Sequence, residues 1–258
     1  MFRTIKNLYR LIGIMRTLAR YDAVFPLEKL DLPDWAVRGL SFLAGRASKK
    51  YADHRPGERL AMALQEQGPS FIKFGQSLST RSDLIGEEVA QDLAGLRDRL
   101  PPFSIEDARK TIESEFEQPL EALYATFDTE PVAAASIAQV HFATTTTGEE
   151  VAVKILRPGI EEAFQRDLDL YYWVAEVIET LQPGFRRLRP VEVVRTFQES
   201  VDLEMDLRLE AAAASELSDG FEHDPDFGVP LIDWNLTQRR VMTIERILRS
   251  QHDIGHGE

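Results

Sequence analysis

Residues 131–156, PVAAASIAQVHFATTTTGEEVAVKIL, form the stretch that indicates the fold class. Small and β-branched residues alternate there with a period of two, first over 132–143 and again over 150–156. Gly148 provides a turn between these segments, and such alternation is typical of strands with one buried face. The stretch therefore predicts a sheet built as strand, loop, strand, turn and strand.

Helical patterns precede this predicted sheet. Residues 58–127 carry apolar residues at helical spacing, interrupted by predicted loops at 83–86 and 100–103. Ser104 follows the second loop and is a preferred residue type at the start of a helix. We therefore predict several helices before the sheet.

After the sheet, the pattern returns to helix and then to short strands. Two helices are predicted, from about residue 160 to 181 and from about 191 to 217. Two short strands are predicted near 229–233 and 240–244. Helices and an antiparallel sheet in this order indicate an α+β protein.

One part of the second predicted helix carries an ambiguous pattern. Residues 201–209 alternate apolar and polar side chains, as a strand does, whereas the alanine run that follows favours a helix. We interpret the segment as helical. On a helix, Glu204 pairs with Arg208 at i,i+4, while Asp206 and Glu210 share another face.

Lys154 completes the run Val-Ala-Val-Lys on a predicted strand. A strand lysine that follows a small-residue loop is the arrangement that kinases use on ATP, where the loop covers the phosphates and the lysine reaches them. A carboxylate from a neighbouring helix has to hold such a lysine, and Glu210 is the candidate. Taken alone, the run is also compatible with a solvated surface lysine, which is its more usual explanation.

Residues 68–81, GPSFIKFGQSLSTR, predict a helix that begins at Gly-Pro. Lys73 and Gln76 lie at i,i+3 and so point the same way. Gly75 between them costs the helix up to ~1 kcal/mol relative to Ala. That loss indicates that another backbone or a ligand approaches closely at this point. A surface Lys and Gln with a packing glycine is the alternative that spacing alone favours.

Composition excludes several classes of protein. The chain has 258 residues and no cysteine, so a disulfide scaffold and a thiolate zinc site are excluded, and a reducing compartment is favoured. We find no apolar run of ~18 residues and no signal-peptide pattern. Residues 61–258 carry 18 Lys and Arg against 37 Asp and Glu, a net charge of −19, which argues against a nucleic-acid groove.

The start of the chain has the opposite charge. Residues 1–60 carry 12 Lys and Arg against 6 Asp and Glu, a net charge of +6, and residues 2–20 contain no acid. An apolar stripe at helical spacing runs along that segment, formed by Ile5, Leu8, Ile12, Met15 and Ala19. A basic amphipathic helix of this kind can lie in a membrane interface. A helix docked on its own domain is an equally supported interpretation, and a transit peptide competes if the source is eukaryotic.

The motifs together resemble the UbiB (aarF-domain, atypical kinase-like) family. The run 73–76 matches its KxGQ motif, and residues 136–141, SIAQVH, match the strand after its alanine-rich loop. Lys154 matches the ATP lysine, residues 204–206 match the ExD motif, and Glu210 matches the helix-C glutamate. The resemblance extends from about residue 1 to Arg246 and is close to bacterial ubiquinone-biosynthesis members over 55–103.

The resemblance implies a protein-kinase-like N-lobe, an antiparallel sheet with helices, preceded by a helical KxGQ extension. We expect a basic amphipathic helical region over 1–57, the extension over 58–128, the N-lobe over 129–246 and a divergent or disordered tail over 247–258. The carboxyl-terminal lobe of the family is not found in this sequence.

The resemblance also implies an ATP or ADP site. In the family the extension helix folds over the nucleotide cleft, which places the KxGQ residues near the acidic motif. An alanine loop is stiffer than a glycine loop because Cβ atoms forbid positive φ, so we expect a shallower cover on the phosphates. The implied cofactor-binding residues are Lys73, Gln76, Ala133, Ala134, Ala135, Ser136, Lys154, Glu204, Asp206 and Glu210.

We expect neither a catalytic residue nor a metal ligand in this chain. The tripeptide 226–228 spells Asp-Phe-Gly, but no catalytic loop precedes it, so we interpret it as a turn. His252 and His256 have no third ligand and are interpreted as part of a tail. Mg²⁺ is therefore expected only with the missing lobe, and the chain is interpreted as a truncation, a split gene or a fragment with at most weak ATP binding and no turnover alone.

The function implied is support of ubiquinone biosynthesis in the bacterial cytoplasm, peripheral to the inner membrane. The expected partners are a nucleotide, an anionic membrane surface, and quinone-biosynthesis proteins or lipids, but not nucleic acid. A non-catalytic module that binds lipid or a biosynthetic complex is the alternative. A polyprenylphenol hydroxylase, a role sometimes attached to the family by name, is disfavoured because no flavin fingerprint and no iron triad is visible.

Overall fold

The structure is a computed structural model that describes most of the chain in two compact units. One unit holds the described residues up to 96 together with 159–200, and the other holds 100–158 and 201–247. The domain limits expected at residues 57, 128 and 246 were inferred from sequence motifs, and they remain predictions. The described residues are 2–24, 48–96, 100–181, 183–221 and 228–247.

Helices dominate the first unit and flank the sheet of the second. In chain order the α-helices are α1 Phe2–Arg20, α2 Pro56–Gln67, α3 Pro69–Ser79, α4 Ser82–Ile85, α5 Glu87–Ala94, α6 Ile105–Phe116, α7 Leu120–Leu123, α8 Ile160–Leu181, α9 Pro190–Glu204 and α10 Leu207–Gly220. Short 3-10 helices occupy Lys49–Tyr51, Pro183–Leu188 and Trp234–Leu236. The bounds of α8 match the predicted helix over 160–181.

The second unit contains one antiparallel sheet. Its strands are β1 Tyr124–Phe127, β2 Ala133–Ala134, β3 Ala138–Thr145, β4 Glu150–Leu156, β5 Ile232–Asp233 and β6 Val241–Glu245. The order across the sheet is β1-β3-β4-β6-β5, and β2 also pairs with β3. Gly148, at φ 93°, makes the turn between β3 and β4. The predicted sheet is therefore present, with β4 at its centre.

One face of this sheet forms the hydrophobic core of the second unit. Successive side chains of a strand alternate between faces, so Val151, Val153 and Ile155 share a face and Lys154 lies on the other. The helix α6 covers the first face, and Ser104 caps it by accepting the Asp107 N–H at 3.1 Å. Buried residues of this core are Ala108, Ile112, Leu120, Leu123, Tyr124, Ala143, Val151, Val153, Ile155 and Val241.

Aromatic packing and a buried ion pair hold the first unit together. Phe71 and Phe74 on α3 pack against Tyr171 on α8, with ring centroids 5.3 and 4.9 Å apart. Asp167 on α8 is buried, where it pairs with Arg10 of α1 and accepts a hydrogen bond from Ser70 of α3. The helix α1 is therefore docked on its own unit through one of its faces.

The structure corrects three details of the expected elements. The short helix α4 lies where a loop was predicted over 83–86, and β1 lies inside the stretch that was predicted to be helical. The helix predicted over 191–217 is broken into α9 and α10. Asp206 is extended (φ −127°, ψ 95°), and the N–H of Leu207 bonds to the carbonyl of Arg239 at 2.9 Å instead of continuing the helix.

Gly75 allows close packing between helices of the first unit. A Cβ added there would lie 2.5 Å from Leu96 Cδ1 and 2.7 Å from Leu64 Cδ1. Two leucine side chains, one from α2 and one after α5, make this close approach, and not the backbone or ligand that the sequence predicted. Gly75 is explained by packing within the first unit.

Replacing Gly75 by Ala is predicted to destabilise the chain. The added methyl group overpacks the Leu64–Leu96 contact, which costs typically 1–3 kcal/mol, whereas the higher helix propensity of Ala returns up to ~1 kcal/mol. We expect a net loss of about 1 kcal/mol in the free energy of unfolding, measured by urea denaturation.

Gly13 on α1 is the matched control, because a Cβ added there meets nothing within 4 Å. The variant Gly13→Ala is expected to gain about 0.5–1 kcal/mol, since only helix propensity changes. Equal effects of the two substitutions would contradict the packing role of Gly75.

Candidate functional site

Lys154 and Glu210 form an ion pair at the centre of the sheet. The Lys154 Nζ lies 2.6 Å from Glu210 Oε1 and 2.7 Å from Oε2, so both carboxylate oxygens accept from one ammonium group. The side chain of Lys154 is 27% exposed and that of Glu210 is 46% exposed. The predicted contact is present, and solvent or a ligand can reach the ammonium group.

The elements around this pair fix both side chains. Lys154 stands on β4 between Val140 of β3 and Met242 of β6, so its strand is paired on both sides. Glu210 lies in the first turn of α10, where the helix macrodipole favours a negative charge. Leu207 and Ala211 bury the inner face of that helix. The carboxylate is therefore presented to the lysine by a packed helix.

Asp206 acts as the N-cap of α10. Its carboxylate accepts from the backbone N–H of Arg208 at 3.1 Å and from the Arg208 guanidinium at 2.9 and 2.6 Å. These hydrogen bonds hold the pKa of Asp206 below its usual range. Glu204 ends one helix and Asp206 precedes the next, so the continuous helix behind the predicted pairing of Glu204 with Arg208 is not present, and the predicted shared helical face of Asp206 and Glu210 is wrong.

The predicted alanine loop is shorter than its sequence suggested. Ala133 and Ala134 form β2, and the turn proper consists of residues 135–137, closed by a hydrogen bond from the Ala135 N–H to the Ala138 carbonyl at 2.8 Å. Ala133 is exposed, whereas Ser136 is completely buried. The alanines therefore form the accessible part of this segment.

The KxGQ residues belong to the first unit. Lys73 and Gln76 are half-buried on α3, and the Gln76 amide donates a long hydrogen bond of 3.4 Å to the Leu96 carbonyl. Glu204, Asp206, Glu210 and Lys154 belong to the second unit. The cap that Lys73 and Gln76 were expected to form over a nucleotide remains a prediction.

A buried polar chain that sequence analysis missed lies on the core face of the sheet. The Phe103 N–H donates to Gln139 Oε1 at 3.0 Å, which turns the Gln139 amide nitrogen toward His141 Nε2 at 2.8 Å. His141 Nε2 must then accept, so Nδ1 carries the proton and donates to the Asp128 carbonyl at 2.8 Å. Burial lowers the pKa of His141. The signal in the sequence was two polar residues at i,i+2 on the apolar face of a strand.

No group of three His, Asp or Glu side chains able to hold a metal ion occurs in the described part of the chain. The tripeptide 226–228 lies partly, and His252 and His256 lie wholly, outside the described residues. Within the same described ranges, none of the helices combines the length and the apolar character that crossing a bilayer requires.

Comparison with known proteins identifies the family to which this chain belongs. Residues 95–251 match the family model described as the ABC1 atypical kinase-like domain, which is more than half of the chain. A Mycobacterium tuberculosis structure, the complex of Rv3197 with erythromycin, superposes with a TM-score of 0.51 at 31% identity, over 67% of this chain and 44% of that one. The sheet with its flanking helices is thus a kinase-like amino-terminal lobe, and the chain belongs to the ABC1 atypical kinase-like family.

Relatives of this chain are named as probable protein kinases. The chain is 43% identical to "Probable protein kinase UbiB" of Marinobacter nauticus over 243 residues, which is 93% of this chain and 44% of that protein. It is 40% identical to the protein of the same name in Shewanella loihica over 247 residues, 95% of this chain and 44% of the relative. The chain spans less than half the length of these relatives.

Because His141 is neutral in the folded chain, the free energy of unfolding is predicted to depend on pH. The folded chain needs neutral His141, whereas the unfolded chain takes up a proton near the ordinary pKa of about 6.5. The free energy of unfolding should therefore fall as the pH drops below about 6.5, by at most about 1.4 kcal/mol per pH unit from this residue. Urea denaturation at a series of pH values from 7.5 to 5 measures the slope.

The variant His141→Gln isolates this contribution, because the carbonyl of Asp128 and the carboxylates of Asp128 and Glu130 remain nearby. It should be less stable at neutral pH but lose less stability on acidification than the natural chain. Parallel pH profiles for the two proteins would show that His141 is not the titrating group.

Proposed function

We propose that this chain is the nucleotide-binding lobe of an atypical kinase or ATPase that supports ubiquinone biosynthesis at the bacterial inner membrane. The observation that carries the proposal is the ion pair of Lys154 with Glu210, on a sheet of the kinase-like type. The names of the relatives support the biosynthetic assignment.

The chemistry of the pair suits a nucleotide phosphate. An ammonium group held in place by a carboxylate is pre-oriented, and kinases use such a lysine on the α- and β-phosphates. The partial exposure of Lys154 leaves room for an oxyanion to share its protons. The residues present therefore fit ATP or ADP, with Lys154 binding phosphate and Glu210 orienting Lys154.

The other predicted residues would contribute as follows. Ala133, Ala134 and Ala135 would cover the phosphates, with the buried Ser136 beneath them. Lys73 with Gln76 would cap the nucleotide, with Glu204 and Asp206 as polar partners. The Arg208 contact already satisfies Asp206, so Asp206 would act mainly through the start of α10, which it caps.

Magnesium does not fit the described residues, since they contain no set of three ligands. Phosphoryl transfer needs a metal ion and a positioned base. We therefore propose that the 258-residue chain alone binds nucleotide weakly and does not turn it over. Robust metal-dependent ATP hydrolysis by this polypeptide would overturn that proposal.

The variant Lys154→Met tests the nucleotide site. It removes the cation and leaves the Glu210 carboxylate facing the phosphates, so affinity for ADP should fall at least about tenfold, in line with ~1.5–3 kcal/mol for a hydrogen bond to a charged group. Titration of a fluorescent ADP analogue followed by competition with ADP measures the affinity.

Lys110→Met is the matched control, because Lys110 lies on α6 with its side chain 76% exposed. It should bind ADP as the natural chain does. Equal affinity of the Lys154 and Lys110 variants would mean that the strand lysine does not contact a nucleotide.

A second function, binding to an anionic lipid surface, is favoured by the outer face of α1. Ile5 is 49% exposed, Leu8 48% and Tyr9 75%, and the exposed Lys6 lies beside them. The same helix is docked through Arg10, while Arg3 pairs with Asp169 at 2.7 Å. The helix thus presents an apolar and basic surface while it remains attached to its own unit, which is how interfacial helices meet a bilayer.

The double variant Ile5→Glu with Leu8→Glu is predicted to weaken binding to phosphatidylglycerol vesicles. Ile5 and Leu8 each gain free energy when their apolar side chains enter the membrane interface, and glutamate does not. The partition coefficient onto the vesicles should therefore fall about tenfold per residue. Flotation with these vesicles and with neutral phosphatidylcholine vesicles measures the effect. The control pair Leu217→Glu with Phe221→Glu, exposed on and just after α10, should float as the natural chain does. Unchanged flotation of the α1 variant would contradict the lipid role.

A further inference from the structure

A basic turn follows the end of α8 in the first unit. The segment 180–191 holds three arginines and no Asp or Glu, although the whole chain has a net charge of −13. Two of the arginines end the 3-10 helix after α8, and the third follows it. Leu188 lies among them and is 39% exposed. The three exposed arginines are Arg186, Arg187 and Arg189. We call residues 186–189 the basic turn.

The basic turn is fixed to α8 but keeps cations available for a partner. The Nε of Arg186 donates to the Glu179 carbonyl, in the last turn of α8, at 2.9 Å. Among the described residues, no carboxylate lies at ion-pair distance from Arg187 or Arg189. These two guanidinium groups can therefore bind an anion without first breaking an ion pair.

The backbone holds Arg189 in a conformation that suits glycine better than arginine. Its φ is +48°, in the left-handed region that is unfavourable for a residue with a Cβ atom. Its carbonyl accepts the Val193 N–H at 3.1 Å, so the first turn of α9 fixes the position of this residue. An arginine at a strained position indicates a role for its side chain other than stability.

The amino-terminal half of α1 lies at the same end of this unit. Arg10 donates to the carbonyl of Arg166, near the start of α8. Arg3 pairs instead with Glu176, whose carboxylate lies 3.8 Å away, near the end of α8. The two helices are therefore antiparallel. Only five more residues of helix, about 7.5 Å, separate Glu176 from the end of α8, so the start of α1 approaches the basic turn.

The two surfaces have the same chemistry. The start of α1 exposes an apolar group together with Lys6, and the basic turn exposes Leu188 together with its arginines. Cations attract the phosphate groups of anionic lipids, while apolar side chains enter the boundary of the acyl chains. Two contacts of one rigid unit with one bilayer bind more tightly than either contact alone, because the second contact forms at a high effective concentration.

We propose that the basic turn is a second contact site of this unit for an anionic lipid bilayer, in which Arg187 and Arg189 bind lipid phosphates and Leu188 enters the interface. The proposal rests on the lipid binding proposed for α1. It adds the residues that make the binding selective for anionic lipid.

The double variant Arg187→Gln with Arg189→Gly tests this contact. A cation near an anionic membrane surface contributes about fivefold in affinity, so the partition coefficient onto phosphatidylglycerol vesicles should fall about 25-fold. Weak binding to neutral phosphatidylcholine vesicles should not change. The difference from the natural chain should be smaller at about 0.5 M salt than at about 0.05 M, because salt screens exposed charges. Flotation measures all four conditions.

Urea denaturation separates a binding role from a structural one. The variant Arg189→Gly removes a side chain from a position of positive φ, so it should be at least as stable as the natural chain while it binds the vesicles more weakly. If the double variant fails to fold, Arg187→Gln alone serves as the test, with an expected loss of about fivefold.

Arg195→Gln is the matched control for the loss of one positive charge. Arg195 is exposed on α9, and Glu192 already pairs with it at 3.0 Å. This variant should bind the vesicles as the natural chain does. An equal loss of binding in Arg195→Gln and Arg187→Gln would mean that the net charge, and not the basic turn, determines the affinity.

The outcomes separate this proposal from the lipid role of α1. If the natural chain does not bind phosphatidylglycerol vesicles, both fail together. If it binds them, and the α1 variants lose binding while the variants of the basic turn do not, α1 is the contact and the basic turn has no membrane role. A loss confined to the variants of the basic turn and of α1, without a loss of stability in Arg189→Gly, supports the proposal.

Discussion

The contact between the Lys154 ammonium and the Glu210 carboxylate is the interaction on which the functional account depends. A lysine at the centre of a sheet loses hydration, and a partner that offers both oxygens at 2.6 and 2.7 Å compensates that loss. Asp206 caps the helix that carries Glu210, and β3 and β6 fix the strand that carries Lys154. The geometry of the pair thus follows from the sheet and from the start of α10 together.

The opposite face of the sheet supports the same region with hydrogen bonds between buried groups. Gln139 fixes the backbone of Phe103 and the tautomer of His141, while Arg157 fixes the turn between β2 and β3. Most acceptors in this network are backbone carbonyls, so its energy depends on the backbone being in one conformation. The network therefore gives a rigid base to a turn whose alanines already restrict φ.

More of the helices and strands than of the contacts between them could be predicted from the sequence. The period-two pattern and Gly148 identified β3 and β4, and the helix predicted over 160–181 matches the bounds of α8. The break before Leu207 could not be foreseen, because it depends on the Arg239 carbonyl, 32 residues away in sequence. Gly75 indicated a close approach, but only the packing of Leu64 and Leu96 shows what approaches. Arg157 was missed because its partners are carbonyls, which carry no residue-specific signal.

Under the proposed function, Glu210 serves nucleotide binding through Lys154. A double-mutant cycle tests this dependence: ADP affinity is measured for the natural chain, Lys154→Met, Glu210→Gln and the double variant. We expect Glu210→Gln to weaken ADP binding in the natural chain and to have no further weakening effect once Lys154 is Met. Additive losses from the two substitutions, or an unchanged affinity of Glu210→Gln, would contradict it.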